Sequence, residues 1–481
     1  MTGFLHEKEF SRKAFVKGGG ALIVGISVAG TAGKASAAAG FDPYASPGPA
    51  DPNAVDSFLT IHADNTASLN SGRIDLGQQA TTGLMLIAAE ELDMDISQFK
   101  HIEFDTGGAT PSPNTGNTGG SSSISQGGPL VRMAAAQARQ ALNGLASAAL
   151  GVPVSSLSVS KGVVSGGGKT ITYGQLVGDK LFQVEYKGTT LNTGVAPAKP
   201  VSQYTQVGIA RPQHYDIPSI VMGTHTYAAN VRVPGMLHGR SVRPRGQGAY
   251  GDGTNPVPLK VDASSIKDIP GAQIVHVGNF LAVVAPKEYD AIQAAAQLKV
   301  AWSTPPKIDP VGNMFSGMRA RDAAGQAPAK VQALGPTTPG LPQASSVDAA
   351  MASAAKTWGG TFKHGYQMHA PIGPNVAVAD VTKDSAIIFS HVKDGYGTTR
   401  PKITAALNQA AQTLGLSQTY NPNRVRVVYY EGSSSFGGGA AHVDNGQCAA
   451  VCSLAVGKPV RIQWMRWDEH GWDNYGPATL W

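Results

Sequence analysis

Apolar residues recur along this chain in short alternating runs and at helical spacing, separated by long stretches of small residues. Ser57-Phe58-Leu59-Thr60-Ile61 and Ala67-Ser68-Leu69 predict two strands. From about Gln79 to Leu92 the apolar positions Leu84, Ile87, Ala88 and Leu92 share one helical face. Pro129 stands where a first helical residue belongs, and an Ala-rich helix follows towards Leu150. Further along, 274–277 and 281–285 predict paired strands, 288–298 a helix and 299–302 a strand. The last third adds a helix over 403–414, a strand over 424–430, a helix over 441–456 and a strand over 459–467. Helices and strands mix throughout, which is an α/β (α+β mixed) class.

The polar and small-residue stretches divide the chain into 1–37, a linker at 38–56, folded segments at 57–205 and 224–304, a connector at 305–350 with at most a short helix, and a third segment at 351–481. Length alone suggests about three domains at ~150 residues each. Charged residues make up 15% of the chain and Gly numbers 59, so the segments read as tightly packed structure with backbone-rich loops. The net charge of +6 is small for 481 residues, and clustered Lys/Arg runs are absent, which argues against a nucleic-acid partner. Two cysteines exclude a disulfide framework, a four-Cys iron–sulfur cluster or a Cys-rich zinc site within this chain. The basic run Ser11-Arg12-Lys13-Ala14-Phe15-Val16-Lys17, the apolar stretch 18–30 and Lys34-Ala35-Ser36-Ala37 have the order of an export signal. It resembles a twin-arginine signal with Lys13 as the second basic residue, and the apolar stretch is too short for a stable membrane span. The final Ala478-Thr479-Leu480-Trp481 is apolar with no polar tail, so the third segment is expected to be incomplete at its C-terminus.

Two loops carry candidate chemistry. Thr118-Gly119-Gly120-Ser121-Ser122-Ser123-Ile124-Ser125-Gln126-Gly127-Gly128 precedes the Pro129 helix, where small residues let backbone N–H groups approach an anion and the helix start adds positive charge. On composition alone the same stretch also reads as a surface linker. Gly432-Ser433-Ser434-Ser435-Phe436-Gly437-Gly438-Gly439 lies between a strand and a helix, a position where α/β proteins place ligands. No serine there has the spacing of a nucleophile elbow, so His442 and Asp444 do not make a triad. Gly246-Gln247-Gly248-Ala249-Tyr250-Gly251 matches a dinucleotide fingerprint only formally, since Pro-rich segments flank it on both sides. Cys448 and Cys452, four apart on a helix, read as small buried hydrophobes.

Several segments together resemble one family. Gly457-Lys458-Pro459-Val460-Arg461-Ile462-Gln463-Trp464-Met465-Arg466-Trp467-Asp468-Glu469, Phe436-Gly437-Gly438 and Tyr366-Gln367-Met368-His369-Ala370-Pro371-Ile372-Gly373-Pro374 resemble stretches of molybdopterin-binding large subunits of the xanthine dehydrogenase/aldehyde oxidase family. Residues 224–304 resemble their a/b hammerhead domain. Asp75-Leu76-Gly77-Gln78-Gln79, Ala88-Ala89-Glu90-Glu91-Leu92 and the 118–125 loop resemble a cofactor-binding stretch. Its place before the hammerhead is similar to the isoquinoline 1-oxidoreductase and nicotinate dehydrogenase branch.

The resemblance implies a molybdenum centre held by a pterin dithiolene, as the cytosine dinucleotide, with [2Fe-2S] clusters on a small partner subunit. It implies oxidation of an aldehyde or N-heteroaromatic substrate with water as the oxygen source. Gln367 matches the glutamine that hydrogen-bonds the metal's oxo group, and Phe436 and Gly437 match loop residues lining the metal. Gly77, Gln78, Thr118, Gly119, Gly120, Ser121, Ser122 and Ser123 match contacts to the pterin and its phosphates, which favours the cradle over the linker. Gly373 and Ala440 stand where many xanthine-type enzymes carry glutamates, which disfavours a purine substrate. The family's C-terminal glutamate base has no counterpart before Trp481, so a separate chain, or further sequence beyond this one, is expected to supply that domain. An inactive cofactor-binding fragment and an exported non-redox binding protein are the alternatives.

Overall fold

The computed structural model describes residues 42–107, 111–184, 198–244, 256–304, 311–326, 344–432, 435–436, 444–472, 476 and 478–480. The formal glycine motif at 246–251, the export signal, Gly437, Ala440 and His442 lie outside these residues.

The N-terminal segment packs a small sheet against two helices. Strands β1 (Leu59–Ile61), β2 (Ala67–Leu69) and β3 (Phe99–His101) follow one another across it, β1 antiparallel and β3 parallel to β2. Helix α1 (Ala80–Glu91) makes the crossover between β2 and β3, and α2 (Gly128–Leu150) packs on α1. Leu84, Ala88 and Leu92 meet Val131, Ala134, Ala135 and Ala138 in one core, where alanines let the helix backbones approach closely. Helix α2 begins with Pro129 in its first turn, as the sequence predicts, and stops at Gly151, whose φ of 72° is the left-handed cap that glycine adopts most easily. A meander of β4 (Ser158–Ser160), β5 (Val163–Gly166) and β6 (Lys169–Thr172) completes the segment.

The middle segment contributes β7 (Leu237–Ser241), β8 (Pro258–Asp262), β9 (Gln273–Val277), β10 (Phe280–Ala285), α3 (Glu288–Gln297) and β11 (Lys299–Trp302). The predicted pairing of 274–277 with 281–285 is the antiparallel β9–β10 hairpin. Two ten-residue helices, α4 (Met314–Ala323) and α5 (Ala344–Ser353), stand where at most a short one was expected. The third segment carries β12 (Lys363–His364), β13 (Val376–Val381), β14 (Ala386–Ser390), α6 (Arg400–Thr413), β15 (Val425–Tyr429), α7 (Asn445–Val456), β16 (Val460–Gln463), α8 (Arg466–Trp472) and β17 (Thr479–Leu480).

Seven strands of the last two segments form one sheet in the order β15-β14-β13-β16-β7-β10-β9. The middle segment therefore does not close on itself: β7 pairs parallel with β16, while β8 and β11 form a separate pair. Glu288 at the start of α3 fixes this junction, reaching Arg240 on β7 at 2.8 Å and Arg461 on β16 at 3.0 Å. Strands β13 and β14 are buried along their whole length, so neither shows the alternation that marks a half-buried strand. The strand expected over 459–467 ends at Gln463 instead. Asp468 turns back to accept from the Met465 amide at 2.9 Å and Glu469 from the Asn375 amide at 2.9 Å, so the acidic pair opens α8.

The N-terminal segment is stitched onto the edge strand β15. Thr106 N donates to Val427 O at 3.0 Å, Tyr429 N to Phe104 O at 2.9 Å, and Asp105 bridges antiparallel to Val428. Ile74, Leu76 and Phe104 enter the core of the large sheet beside Tyr396 and Tyr429. Arg426 Nε donates to Asp105 Oδ1 at 2.9 Å, with side chains only 2% and 4% exposed. Breaking a buried ion pair from one side costs about 3–5 kcal/mol, whereas an exposed pair contributes about 0–1 kcal/mol. Asp105→Asn is expected to lower stability by roughly 3 kcal/mol in chemical denaturation. Asp384→Asn, at the 3.8 Å pair with Arg424 where Asp384 is 73% exposed, is expected to leave the denaturation midpoint essentially unchanged.

Candidate functional site

The stitch brings three stretches of chain together. The Asp75–Gln79 turn is tied to the 116–123 loop by Thr118 Oγ1, which accepts from Ile74 N at 3.1 Å. Thr118 N donates to Lys393 O at 3.0 Å, just past the end of β14. The Tyr429 hydroxyl, at the end of β15, donates to the Asp75 carbonyl. Gly432 follows three residues later and packs on the buried His391, where an added Cβ would meet Nδ1 at 2.2 Å.

The loop before α2 has a buried floor and an exposed crest. Thr118, Ser122 and Ser123 are buried, whereas Gly116, Asn117, Gly119, Gly120 and Ser121 face solvent. Gly120 and Ser121 both have a φ of 57°, which turns successive amides towards one side. Among the described residues, the N–H groups of Gly119, Gly120 and Ser121 have no hydrogen-bond partner. The Ser122 hydroxyl is spent on Asn117 O at 3.0 Å and Gly119 O at 2.7 Å and does not cap the helix. The helix starts earlier than expected, as a π-helical turn over Ser123–Gly127 running straight into α2. Unspent amides on an exposed crest, at the positive end of a 23-residue helix, fit a phosphate-bearing group.

The other expected contacts are placed differently. Gly77, with a φ of 90°, lies exposed in its turn. The Gln78 amide folds back on the same turn, accepting from Leu76 N at 2.5 Å and donating to Ile74 O at 3.1 Å. Phe436 is 63% exposed and Ser435 beside it is buried. Gln367 is exposed, and its backbone pairs with Gly476; the structure does not bring it to the Thr118 loop. Trp358, Phe362, Tyr366 and Ile372 around it are also at least half exposed. Both cysteines are buried, Cys448 at 3% and Cys452 at 0% exposure, and burial pushes both thiols up.

Behind the Asp75 turn lies a buried acid network that the sequence did not reveal. Asp75 Oδ1 accepts the amides of Gly77 at 2.9 Å and Gln79 at 3.2 Å, opening α1. His214 stands between Asp75, at 3.4 Å, and Asp216. Tyr215 donates to Glu103 at 2.5 Å, and His225 Nε2 lies 2.8 Å from Glu431. Burial, with Asp216, Asp75 and Glu103 nearby, pushes the Glu431 carboxyl from 4.5 up to about 8. Burial and the neighbouring Lys393 bring His391 down to about 4. The one local cue to Glu431 is a lone acid at the end of an apolar strand run.

A carboxyl raised on folding binds more protons in the native state between its two pKa values, so stability falls as pH rises across that window. For Glu431 the window runs from 4.5 to about 8. Glu431→Gln cannot titrate, so its stability relative to the unmodified protein is expected to rise across that window and to level off above it. Denaturation midpoints measured at several pH values check this, and a difference that does not vary with pH would refute the assignment.

Residues 5–231, which include the Asp75 turn and the 116–123 loop, match the molybdopterin cofactor-binding domain family. One nicotinate dehydrogenase subunit, from Pseudomonas putida, is 32% identical over 427 residues, covering 88% of this chain and 33% of that protein. The beta subunit of the isoquinoline 1-oxidoreductase of Brevundimonas diminuta is 27% identical over 336 residues, covering 62% of this chain and 40% of that protein. Membrane-bound aldehyde dehydrogenase [pyrroloquinoline-quinone] of Gluconacetobacter polyoxogenes is 29% identical over 256 residues, covering 51% of this chain and 31% of that protein. The chain spans 33%, 40% and 31% of the length of these relatives. Residues 5–231 thus match a molybdopterin cofactor-binding domain, and over most of its length the chain is similar to part of a nicotinate dehydrogenase subunit.

Proposed function

We propose that this chain forms the cofactor-cradling part of the large subunit of a molybdenum hydroxylase that oxidises an aldehyde or an N-heteroaromatic compound. The observation that carries the reading is the set of unspent Gly119, Gly120 and Ser121 amides at the start of α2, inside the region matched to the cofactor-binding family. When bound, a molybdenum–pterin group supplies two-electron oxidation of an electron-poor carbon, with water as the source of oxygen.

This chain's own part is binding and orientation. The crest amides and the helix start would hold the phosphates, and a dinucleotide form, such as the cytosine one, would extend from them across the exposed Gly77 turn. Asp75 keeps that turn in shape through the amides of Gly77 and Gln79. Gln367 would reach the metal from the exposed stretch between Trp358 and Ile372. Two buried cysteines cannot ligate an iron–sulfur cluster, so electrons would leave through [2Fe-2S] clusters on a partner subunit. The N-terminal basic and apolar run supports export of the folded, loaded protein to the periplasm or membrane surface.

Purification of the protein co-expressed with its neighbouring genes, followed by metal and cofactor analysis, tests this reading. Molybdenum and a phosphate-bearing pterin are expected together. Their joint absence, or a quinone cofactor in their place, would overturn it. In the completed enzyme, Gln367→Ala is expected to lower turnover while leaving the melting temperature unchanged.

A further inference from the structure

Arg73 is 1% exposed and lies beneath the 116–127 loop. Its Nη1 donates to Asn117 O at 2.6 Å and to Ser122 Oγ at 3.0 Å, while the buried Nε and Nη2 have no hydrogen-bond partner. A Cβ on Gly127 would meet Arg73 Nε at 3.0 Å, and one on Gly116 would meet Nη2 at 3.6 Å. The guanidinium therefore fills the inside of the loop.

The described residues include four arginines exposed by 2% or less: Arg73, Arg240, Arg426 and Arg461. Arg240 and Arg461 share Glu288 as an ion-pair partner, and Arg426 pairs with Asp105. Arg73 has no such acid among the described residues, and burial alone acts on it, drawing its pKa down. A buried guanidinium without a counter-ion is strongly unfavourable, and it keeps its proton regardless.

We infer that Arg73 is the fixed counter-charge of the cradle, holding Asn117 and Ser122 from below and completing its charge balance when an anion sits on the Gly119–Ser121 amides. The inference rests on the cofactor reading above and names the residue that favours a phosphate or pyrophosphate ester there. Because the guanidinium is shielded from water, its field reaches the crest through protein and is weakly screened by salt. Arg73 acts through the loop and is a positioning residue.

Calorimetric titration of inorganic pyrophosphate into the cofactor-free full-length chain tests the assignment. The unmodified protein is expected to bind pyrophosphate, and Arg73→Gln, which keeps an amide donor but loses the charge, to bind it about tenfold more weakly. Arg73→Lys, which keeps the charge and loses the fork, is expected to stay within about threefold of the unmodified protein. A role limited to anchoring the loop would lower the melting temperature of Arg73→Gln yet leave its pyrophosphate affinity intact. That result overturns the inference, as does an unmodified protein that fails to bind. Should Arg73→Gln not fold, Arg73→Lys decides, and a loss of about tenfold there overturns the counter-charge. Protein that carries molybdenum and pterin but shows no dependence on Arg73 rejects this assignment alone and leaves the family reading standing.

Discussion

The buried pair between Asp105 and Arg426 is the contact on which the candidate site depends. Two cores are built independently, one from β1–β3 with α1 and α2, the other from the seven-stranded sheet with α6 and α7. They become continuous where the 104–106 run lies along β15, and the ion pair sits in the middle of that run. An open strand edge invites wrong pairing, and here the N-terminal segment covers it. The same covering carries the Asp75 turn and the Thr118 loop to the ends of β14 and β15. Neither core alone would hold the cradle next to the root of the 432–439 loop.

Across this junction the electrostatics are divided. On the crest side stand unspent amides, a helix start and the uncompensated Arg73. Behind the Asp75 turn stand Asp75, Glu103, Asp216 and Glu431, interleaved with His214 and His225. Asp75 belongs to both sides: its carboxylate receives the turn's amides and also faces His214. A shift in the acid network is therefore coupled through hydrogen bonds to the turn that carries Gly77.

Local structure was legible where a local pattern dictates it. Pro129 at the start of α2, the β9–β10 hairpin and α3 followed by β11 all stand where apolar spacing and turn residues put them. What failed was long-range. Val376–Val381 and Ala386–Ser390 escaped because a strand buried on both faces is a short apolar run without period. The joining of the middle and last segments through β7 and β16 depends on pairing partners far apart in sequence, which no local pattern encodes. At the site, the small-residue loop was readable from composition, but Arg73 and Glu431 were not. A single charged residue becomes distinctive only once the fold shows whether it has a partner. Gln78 illustrates the converse, since its side chain closes its own turn.

The central claim is that the Asp75 turn and the Gly119–Ser121 crest form one cofactor-binding surface. An experimental structure of the protein purified with its cofactor tests it most directly. The account predicts phosphate density within hydrogen-bonding distance of the Gly119, Gly120 and Ser121 amides, with the pterin passing over Gly77. Phosphates bound elsewhere, with those amides left facing water, would contradict it.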